Sequence, residues 1–278
     1  MKAVRFKVKN GNIRIGRLED DNTIFDCGPS SPDGFVPTHL AWENIKTSSS
    51  TTYDLAEVQL LHPVVPKKIL AVGLNYRSHA KESELDVPSV PVIFSIFSSA
   101  LIGHEENIVI PIEETRPDFE GELAVVIGKR VYRATREEAR SAIGGICAFH
   151  DVSGRRAQLE TPLRQFTLGK SFDTFAPMGP CIASVDGIDL SNIQIQTTVS
   201  NEVMQRANTK DLIFSIEELI VYCSKGLTLE PGDVIATGTP GGVGDSRTPP
   251  RYLVEGDVVE VWVENVGTLR NYVVKESV

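Results

Sequence analysis

Short, continuous apolar runs in the middle of the chain predict strands that are buried on both faces. Residues 123–127 are all apolar and stop at Gly128, and residues 146–149 repeat this pattern. Runs of this length, bounded by glycine or by charged residues, are typical of central strands. Residues 69–72 and the apolar, aromatic segment 91–102 predict further buried strands.

Alternating apolar and polar residues predict half-buried strands at both ends of the chain. In residues 1–9, apolar side chains alternate with arginine and lysine, which favours a strand and not a signal peptide. Asn10 and Gly11 then form a dipeptide typical of a hairpin turn. Residues 193–199 and 257–274 alternate in the same way.

Helical signals are fewer and predict short helices. Two capping boxes mark helix starts, Thr135 with Glu138 and Ser215 with Glu218. Each of these helices is expected to end at the next glycine, at Gly144 and Gly226.

The Pro-rich segment 62–66 divides the chain in two. Proline disfavours helix and holds the chain extended, so we place a linker after residue 61. Residues 1–61 are expected to form a small N-terminal β-rich module, in which residues 51–60 form a short helix. Residues 62–278 are expected to form the larger domain that carries the chemistry.

Composition and charge limit the classes of partner. The formal net charge is −9, and a surface of this sign repels phosphate backbones, so no nucleic acid partner is expected. No apolar run approaches the about 18 residues that a membrane helix needs, so no membrane partner is expected. The four cysteines are widely spaced, which favours a reduced, cytoplasmic protein over a disulfide scaffold or a zinc site.

Three carboxylates stand at the ends of predicted buried strands. Glu120 and Glu122 are two residues apart in an extended segment, so their side chains point to the same side. Like charges this close repel and are costly to desolvate unless a cation compensates them. Asp151 repeats the arrangement after residues 146–149, and the three carboxylates are a candidate site for a hard ion such as Mg²⁺. The alternative is a solvated strand end without metal.

His79 and Glu82 are a candidate pair for general-base catalysis. If Ser78 caps a short helix, the two side chains lie on one face, where a carboxylate orients the ring and raises its basicity. The alternative is an ordinary surface pair.

Two polar segments are expected to be loops at the site. Residues 169–173 are too polar for a core strand and show no helical period. The glycine-rich segment 237–244 lacks the Gly-Lys-Ser/Thr of a P-loop, so nucleotide binding is not expected. Its backbone amides are instead expected to line a carboxylate or keto pocket.

The order and spacing of these motifs resemble the fumarylacetoacetate hydrolase family over about residues 62–274. The motifs that carry the resemblance are Gly73-Leu74-Asn75-Tyr76 with His79 and Glu82, Phe119-Glu120-Gly121-Glu122-Leu123, Asp151-Val152-Ser153 with Arg155 and Gln158, Gly169-Lys170-Ser171-Phe172-Asp173, Pro231-Gly232-Asp233, and Thr237-Gly238-Thr239-Pro240. The resemblance implies a β-rich α+β fold, in which a mixed β-sheet roll with short helices accompanies the N-terminal module. It also implies a homodimer.

The resemblance further implies roles for individual residues. The three carboxylates would bind Mg²⁺ or Mn²⁺, and His79 with Glu82 would form the base dyad on a segment that orders over the substrate. Lys170 is the third predicted catalytic residue. The predicted substrate contacts are Tyr76, Arg77, Ile96, Arg155, Gln158 and Thr239.

Two positions depart from the family pattern. Ile96 stands where the family commonly has lysine, and Arg156 stands where it often has aspartate. An isoleucine in that place favours a substrate with an apolar group on that side, such as an acylpyruvate, over oxaloacetate. The alternative is that Arg77, Arg156 or Arg164 supplies the missing cation from another direction.

The activity implied first is hydrolytic C–C bond cleavage in a β-diketone, an acylpyruvate or a β-keto acid. Decarboxylation of an oxaloacetate-like acid and isomerisation or hydration of a 2-oxo dienoate are alternatives. A non-catalytic protein that binds a small acid is the alternative from another class.

Overall fold

The computed structural model describes residues 1–8, 11–19, 22–47 and 51–277. Within these ranges the chain is rich in short strands. The strands are β1 (Lys2–Val8), β2 (Ile13–Glu19), β3 (Thr23–Pro29), β4 (Thr52–Asp54), β5 (Val58–Leu61), β6 (Ile69–Gly73), β7 (Val92–Ile96), β8 (Leu101–Ile102), β9 (Asn107–Ile110), β10 (Pro117–Asp118), β11 (Gly121–Ile127), β12 (Ile143–His150), β13 (Ser153–Gly154), β14 (Ala176–Ala183), β15 (Gln194–Val199), β16 (Glu202–Asn208), β17 (Val234–Ala236), β18 (Val258–Val263) and β19 (Gly267–Lys275).

The helices are short and few. They are α1 (His39–Thr47), α2 (Arg77–Glu82), α3 (Arg136–Ser141), α4 (Arg155–Leu159), α5 (Phe166–Gly169) and α6 (Ile216–Ser224). In the parts of the chain that the structure describes, none of them combines the length and the apolar character needed to cross a membrane.

Strand β11 lies at the centre of the molecule, and all seven of its residues are buried. Leu123, Val125 and Ile127 pack into one hydrophobic core, and Ala124 and Val126 pack into a second core on the opposite face. Each fully buried Val, Leu or Ile side chain contributes about 1.5–3 kcal/mol to folding. The predicted burial on both faces is therefore confirmed.

Two large sheets pack around the first of these cores. The main sheet runs in the order β4-β3-β2-β1-β14-β12-β11-β17-β6-β7, and β5 and β8 pair with β1 and β14 beside this path. The second sheet runs β16-β15-β18-β19-β9, and β10 pairs with β13 separately. Most neighbours are antiparallel, but three pairs are parallel: β6 with β17, β8 with β14, and β9 with β19. The predicted β-rich mixed fold is confirmed.

The N-terminal strands extend the main sheet. Strand β1 pairs with β14 through Lys2 and Ala183, and β1 and β2 form the predicted antiparallel pair. Asn10 of the predicted turn lies outside the described residues. The division of the chain after residue 61 stays a prediction.

The short helix predicted at residues 51–60 is wrong. This segment forms β4, one 3-10 turn at Leu55–Glu57, and β5. Strand β4 pairs with β3, and β5 pairs with β1, so hydrogen bonds to distant strands outweigh the local preference.

Both predicted capping boxes are present, at Thr135 and Ser215. Helix α3 nevertheless ends before the predicted glycine stop, because Gly144 lies inside β12. A Cβ atom at Gly144 would lie 2.4 Å from the carbonyl oxygen of Pro37, so this glycine permits close packing of two chain segments.

Candidate active site

The three predicted carboxylates meet at one end of the central strands. Glu120 directly precedes β11, Glu122 is the second residue of β11, and Asp151 directly follows β12. The Asp151 N–H donates to the Glu120 carbonyl at 2.9 Å, which holds the two strand ends together. One carboxylate oxygen from each residue lies within 4.8 Å of the others, and all three side chains are buried. We call these residues the acidic triad.

Lys170 is bonded entirely within this site. Its Nζ donates to Glu120 Oε2 at 2.8 Å, to Asp151 Oδ2 at 2.7 Å and to Ser153 Oγ at 2.8 Å. An ammonium group has three N–H donors, so all of them are used by the protein. Lys170 directly follows α5, and its Nζ lies 5.4 Å from the centroid of the Phe94 ring.

Arg155 also binds carboxylates of this site. Its Nε and Nη2 donate to Asp118 Oδ2 at 2.9 and 2.8 Å, and Nη2 also donates to Glu120 Oε1 at 2.5 Å. Its Nη1 donates to Gln158 Oε1 at 2.9 Å. Glu120 is thus paired with two buried cations, whereas Glu122 is paired with neither.

The charges of this cluster favour a bound divalent cation. The acidic triad and Asp118 are four buried carboxylates, and Lys170 and Arg155 are the two buried cations bonded to them. These two cations balance only two of the four negative charges. Among the described residues, Asp151 Oδ1 also has no hydrogen-bond partner. An uncompensated charge is costly to bury, and a divalent cation held by oxygen ligands balances the remaining two charges. The triad can therefore hold a divalent metal ion.

The pKa values of the triad reflect the same imbalance. Burial, followed by repulsion from Asp151 and Glu120, raises the pKa of Glu122 well above its usual value. Burial also raises the pKa of Asp151 to about 6, although Lys170 opposes this rise. Burial alone would raise the pKa of Glu120, but the charges of Lys170 and Arg155 outweigh it and lower the pKa. A cation bound here would favour the ionised form of all three groups.

A cavity of about 400 Å³ opens next to the triad. Its polar lining includes His79, Glu120, Arg155, Gln158, Arg164, Lys170, Thr239 and Asp245. Its apolar lining includes Val72, Leu74, Leu85, Val92, Leu159, Phe94, Phe166 and Val243. Phe94 and Phe166 stack with ring centroids 5.4 Å apart, so one wall is a rigid aromatic surface. The cavity therefore joins a charged end to an apolar wall.

Helix α2 brings His79 to this cavity, and the glycine-rich loop holds the helix in place. Glu82 Oε2 accepts a hydrogen bond from the Gly242 N–H at 2.8 Å and lies 3.7 Å from His79 Nδ1. Burial alone would raise the pKa of Glu82, but the contacts with His79 and Gly242 outweigh it and lower the pKa. The structure thus places His79 at the cavity and Glu82 beside its ring.

Ser78 has a different role from the predicted helix cap. Helix α2 begins at Arg77, and its N-cap position is Tyr76, whose side chain makes no capping bond. The Ser78 hydroxyl instead accepts a hydrogen bond from the Gly241 N–H at 3.2 Å. This bond attaches the helix to the glycine-rich loop.

The amides of the glycine-rich loop bind the protein's own carboxylates. The Gly238 N–H donates to Glu122 at 2.8 Å, and the Gly244 N–H donates to Asp118 at 2.7 Å. The Asp245 N–H donates to the other oxygen of Asp118 at 3.0 Å. These amides hold Glu122 and Asp118 in position. The sequence predicted instead that the amides line a substrate pocket.

The predicted substrate contacts divide into two groups. Arg155, Gln158 and Thr239 line the cavity. Tyr76 and Ile96 are buried in the hydrophobic cores and Arg77 is exposed, and none of these three lines the cavity. Phe94, two residues before Ile96, reaches the cavity instead. The substrate-binding roles of all six residues stay predictions.

Asp118 and Gln205 hold parts of the site in position, and neither was predicted to do so. Asp118 adjoins the carboxylate motif, and its position before a buried strand was a usable signal. Gln205 lies far away in sequence, on β16, where a β-bulge shifts the pairing with β15 and aims the side chain inward. No local pattern distinguishes it from other polar strand residues.

Gln205 joins the triad strand to the glycine-rich loop. Its Oε1 accepts from the Gly121 N–H at 2.9 Å, and its Nε2 donates to Thr239 Oγ1 at 2.8 Å and to the Pro240 carbonyl at 2.9 Å. Thr239 in turn donates to the Gly121 carbonyl at 3.2 Å. Both the N–H and the carbonyl group of Gly121, the residue between Glu120 and Glu122, are therefore hydrogen-bonded to these side chains.

We expect Gln205→Leu to weaken Mn²⁺ binding by about 10–100-fold, since partners that orient metal ligands have effects of this size. The change leaves the buried Gly121 N–H unpaired and frees the backbone between two triad residues. Direct Mn²⁺ titration measures the effect, and Gln196→Leu on the neighbouring strand is the control. Unchanged affinity in Gln205→Leu would contradict this role.

We expect Ile96→Lys to destabilise the fold. Ile96 is 3% exposed and belongs to the second hydrophobic core, so a lysine there buries a charge without a partner. Such a charge costs about 3–5 kcal/mol. Denaturant unfolding measures the loss, with the exposed neighbour Ser95→Lys as the control. Equal stability of the two variants would show that the lysine reaches solvent or the cavity.

Comparisons with known proteins agree with this geometry. A family model described as Fumarylacetoacetate (FAA) hydrolase C-terminal matches residues 68–274. The relative named oxaloacetate tautomerase FAHD2A, mitochondrial, from Bos taurus is 45% identical over 221 residues, which are 79% of this chain and 70% of that protein.

Two solved structures share the fold over nearly the whole chain. The 5-carboxymethyl-2-hydroxymuconate delta-isomerase from Mycobacterium smegmatis is 33% identical, with a TM-score of 0.83, and the match covers 100% of both chains. The fumarylacetoacetate hydrolase from psychrophilic Exiguobacterium antarcticum is 34% identical, with a TM-score of 0.82, and the match covers 99% of this chain and 100% of that chain. The matched family region contains the acidic triad, the His79 helix and the glycine-rich loop. By sequence, by fold and by the residues gathered at its cavity, this chain belongs to the fumarylacetoacetate hydrolase family.

Proposed function

We propose that this protein enolises a small 2-oxo acid of the oxaloacetate type, with a divalent cation held by the acidic triad. The observation that carries the proposal is that Glu120 of the triad and His79 line the same cavity. A substrate in this cavity meets an electrophilic centre and a general base together. The tautomerase name of the Bos taurus relative and the isomerase name of the Mycobacterium smegmatis structure support proton transfer as the reaction class.

A divalent cation bound to the triad supplies Lewis-acid polarisation of the substrate's keto oxygen, which acidifies the neighbouring C–H bond. Mg²⁺ and Mn²⁺ both suit an all-carboxylate ligand set. Lys170 and Arg155 hold Glu120 in place, and all three N–H donors of Lys170 are used within the protein.

His79 moves the proton. Glu82 lies on the Nδ1 side of the ring at 3.7 Å, so Nε2 is the nitrogen left to face the substrate. The C–H bond next to the keto group breaks, its proton goes to Nε2, and its electron pair forms the C=C bond of the enol. The keto oxygen then takes a proton from His79, so the net change is a tautomerisation.

The apolar wall keeps water away from the reacting carbon. Phe94, Phe166 and Val243 line the cavity beside Lys170. A dry wall strengthens electrostatic interactions inside the site and limits competing hydrolysis of the substrate.

Hydrolytic C–C cleavage of an acylpyruvate is the second candidate. A carboxylate beside a histidine also suits activation of a water molecule, and the cavity has room for one beside a small acid. Decarboxylation needs no attacking water and uses the same metal centre, so it remains a third outcome of the test.

The test is to follow three products from one set of reactions with Mg²⁺ or Mn²⁺. We expect faster conversion of enol-oxaloacetate to the keto form, read by the loss of enol absorbance, with little CO₂ release. Cleavage of acetylpyruvate without faster tautomerisation would favour the hydrolase, and CO₂ release matching oxaloacetate loss would favour the decarboxylase. If none of the three reactions is accelerated, the proposal fails and a non-catalytic acid-binding protein is favoured.

Two other expectations also stay predictions. A homodimer and a cytoplasmic location were implied by the sequence, whereas the name of the Bos taurus relative says mitochondrial. Neither enters the chemistry proposed above.

A further inference from the structure

One of the arginines that line the cavity has a guanidinium group that no described residue of the protein binds. Three side chains with a permanent positive charge line the cavity, Arg155, Arg164 and Lys170. Lys170 uses all three donors within the site, and Arg155 is bonded to Asp118, Glu120 and Gln158. Lys170 therefore has no donor left for a substrate carboxylate, and the charge of Arg155 is already paired with two carboxylates of the protein.

Arg164 differs from them in its surroundings. Among the described residues, its guanidinium group makes no hydrogen bond and no ion pair, although its backbone is well held. The Arg164 N–H donates to the Thr161 carbonyl at 3.0 Å, and the next N–H, of Gln165, donates to the Gln158 carbonyl at 2.8 Å. The turn thus fixes the backbone of Arg164, whereas the guanidinium group is not held by any described residue.

The backbone of Arg164 supports a functional reason for its presence. Its φ angle is 56°, in the left-handed region that favours glycine. A long side chain at such a position is disfavoured relative to glycine, and strained backbone of this kind is common at ligand sites. Arg164 directly follows Leu163, which is 92% exposed. The turn therefore lies in solvent at the edge of the cavity.

We propose that Arg164 binds the distal carboxylate of the substrate and so selects 2-oxo dicarboxylic acids over 2-oxo monocarboxylic acids. The proposal rests on the proposed function, since it needs the 2-oxo acid end at the triad. A guanidinium group binds a carboxylate through two parallel hydrogen bonds, which suits an acid of one fixed length. The 2-oxo acid end of the substrate then lies at the polar end of the cavity, and Arg164 binds the distal carboxylate.

Asp245 is the competing partner for Arg164. It also lines the cavity, and its Oδ1 accepts a hydrogen bond from the Tyr252 hydroxyl at 2.5 Å. No ion pair joins Asp245 to Arg164 in the described part of the chain. If such a pair forms in solution, Arg164 is a structural residue, and the experiment below separates the two roles.

The experiment compares two acids that differ only in a terminal carboxylate or methyl group. In D₂O with Mg²⁺, the exchange of hydrogen next to the keto group is followed by NMR for oxaloacetate and for 2-oxobutanoate. We expect Arg164→Gln to lower kcat/KM about tenfold or more for oxaloacetate and less than about twofold for 2-oxobutanoate. Arg164→Lys should recover part of the loss. Arg156→Gln, an exposed arginine outside the cavity, removes the same charge and should change neither value.

A binding measurement separates this inference from the proposed function. Malate and 2-hydroxybutanoate form a similar pair that does not react, and calorimetry with Mg²⁺ gives their Kd values. We expect Arg164→Gln to weaken malate binding about tenfold and to leave 2-hydroxybutanoate unchanged. An equal loss for both acids, or no loss for malate, overturns the role of Arg164 even if the wild type is an active tautomerase. Selective malate binding without exchange activity supports Arg164 and overturns the proposed function.

Discussion

Replacing Glu122 by alanine is expected to lower kcat/KM for 2-oxo acid turnover by about 10³-fold or more, the equivalent of about 4 kcal/mol. Glu122 is 1% exposed and is the triad member that forms no ion pair with any cation in the described part of the chain. Without it, the site has lost one of its three acidic ligands, and the Gly238 N–H has lost its acceptor. The Lewis acid that acidifies the substrate should then be bound weakly or not at all.

Two measurements check this expectation. The first is kcat/KM with and without EDTA, and the second is the increase in Tm that Mg²⁺ or Mn²⁺ produces in the wild type. In Glu122→Ala the metal-dependent increase in Tm should disappear. The Tm of the metal-free variant should not fall steeply, because the change removes a buried carboxylate whose charge is poorly compensated. Glu137→Ala, on the exposed face of α3, is the control.

Full activity of EDTA-treated wild type would contradict the metal centre. Retention of the metal-dependent Tm increase in Glu122→Ala would show that the ion, if bound, lies elsewhere. In either case Lys170 and Arg155 would be the main electrostatic elements of the site, and the charge balance would need another explanation.

Replacing His79 by alanine is expected to lower kcat by about 10²-fold or more, which is the usual scale of general-base catalysis. His79 reaches the cavity from α2, and this helix is attached to the glycine-rich loop through Ser78 and Glu82. The loss should be in kcat more than in KM, because the ring acts on the proton and not on the bound acid groups.

The His79 variant should keep its metal ion. Direct Mn²⁺ titration is expected to give the wild-type affinity in His79→Ala, unlike in Glu122→Ala. Glu82→Gln keeps the shape of the dyad and should lower kcat by a smaller factor. His39→Ala, on the exposed start of α1, is the matched control. An unchanged kcat in His79→Ala would assign the proton transfer to another group at the cavity.

Several features of this protein follow from the sequence because their causes are local. The spacing of two residues puts Glu120 and Glu122 on one side of an extended strand, and this holds wherever the strand lies. A continuous apolar run of strand length predicts burial on both faces, as β11 shows. The two capping boxes are also local, because each is completed within four residues.

Other features depend on pairings between distant segments, which a single sequence does not display. Residues 52–54 and 58–61 are strands because β3 and β1 supply their hydrogen bonds. The glycine-rich loop binds Glu122 and Asp118, and a list of glycines does not show what their amides will contact.

The assignment of residues to the cavity was decided by the tertiary structure alone. Strand β7 was predicted, but which of its side chains reach the cavity depends on the sheet and on α5 packed against it, so Phe94 lines the cavity and Ile96 lies in the core. Lys170 and Arg155 are cationic in any fold, yet only the structure shows that both donate hydrogen bonds to buried carboxylates. Hydrogen-bond partners depend on three-dimensional neighbours, so the role of Gln205 emerged only from the folded chain. The sequence offered Arg164 as one possible cation, but only the folded chain shows that its guanidinium has no partner among the described residues.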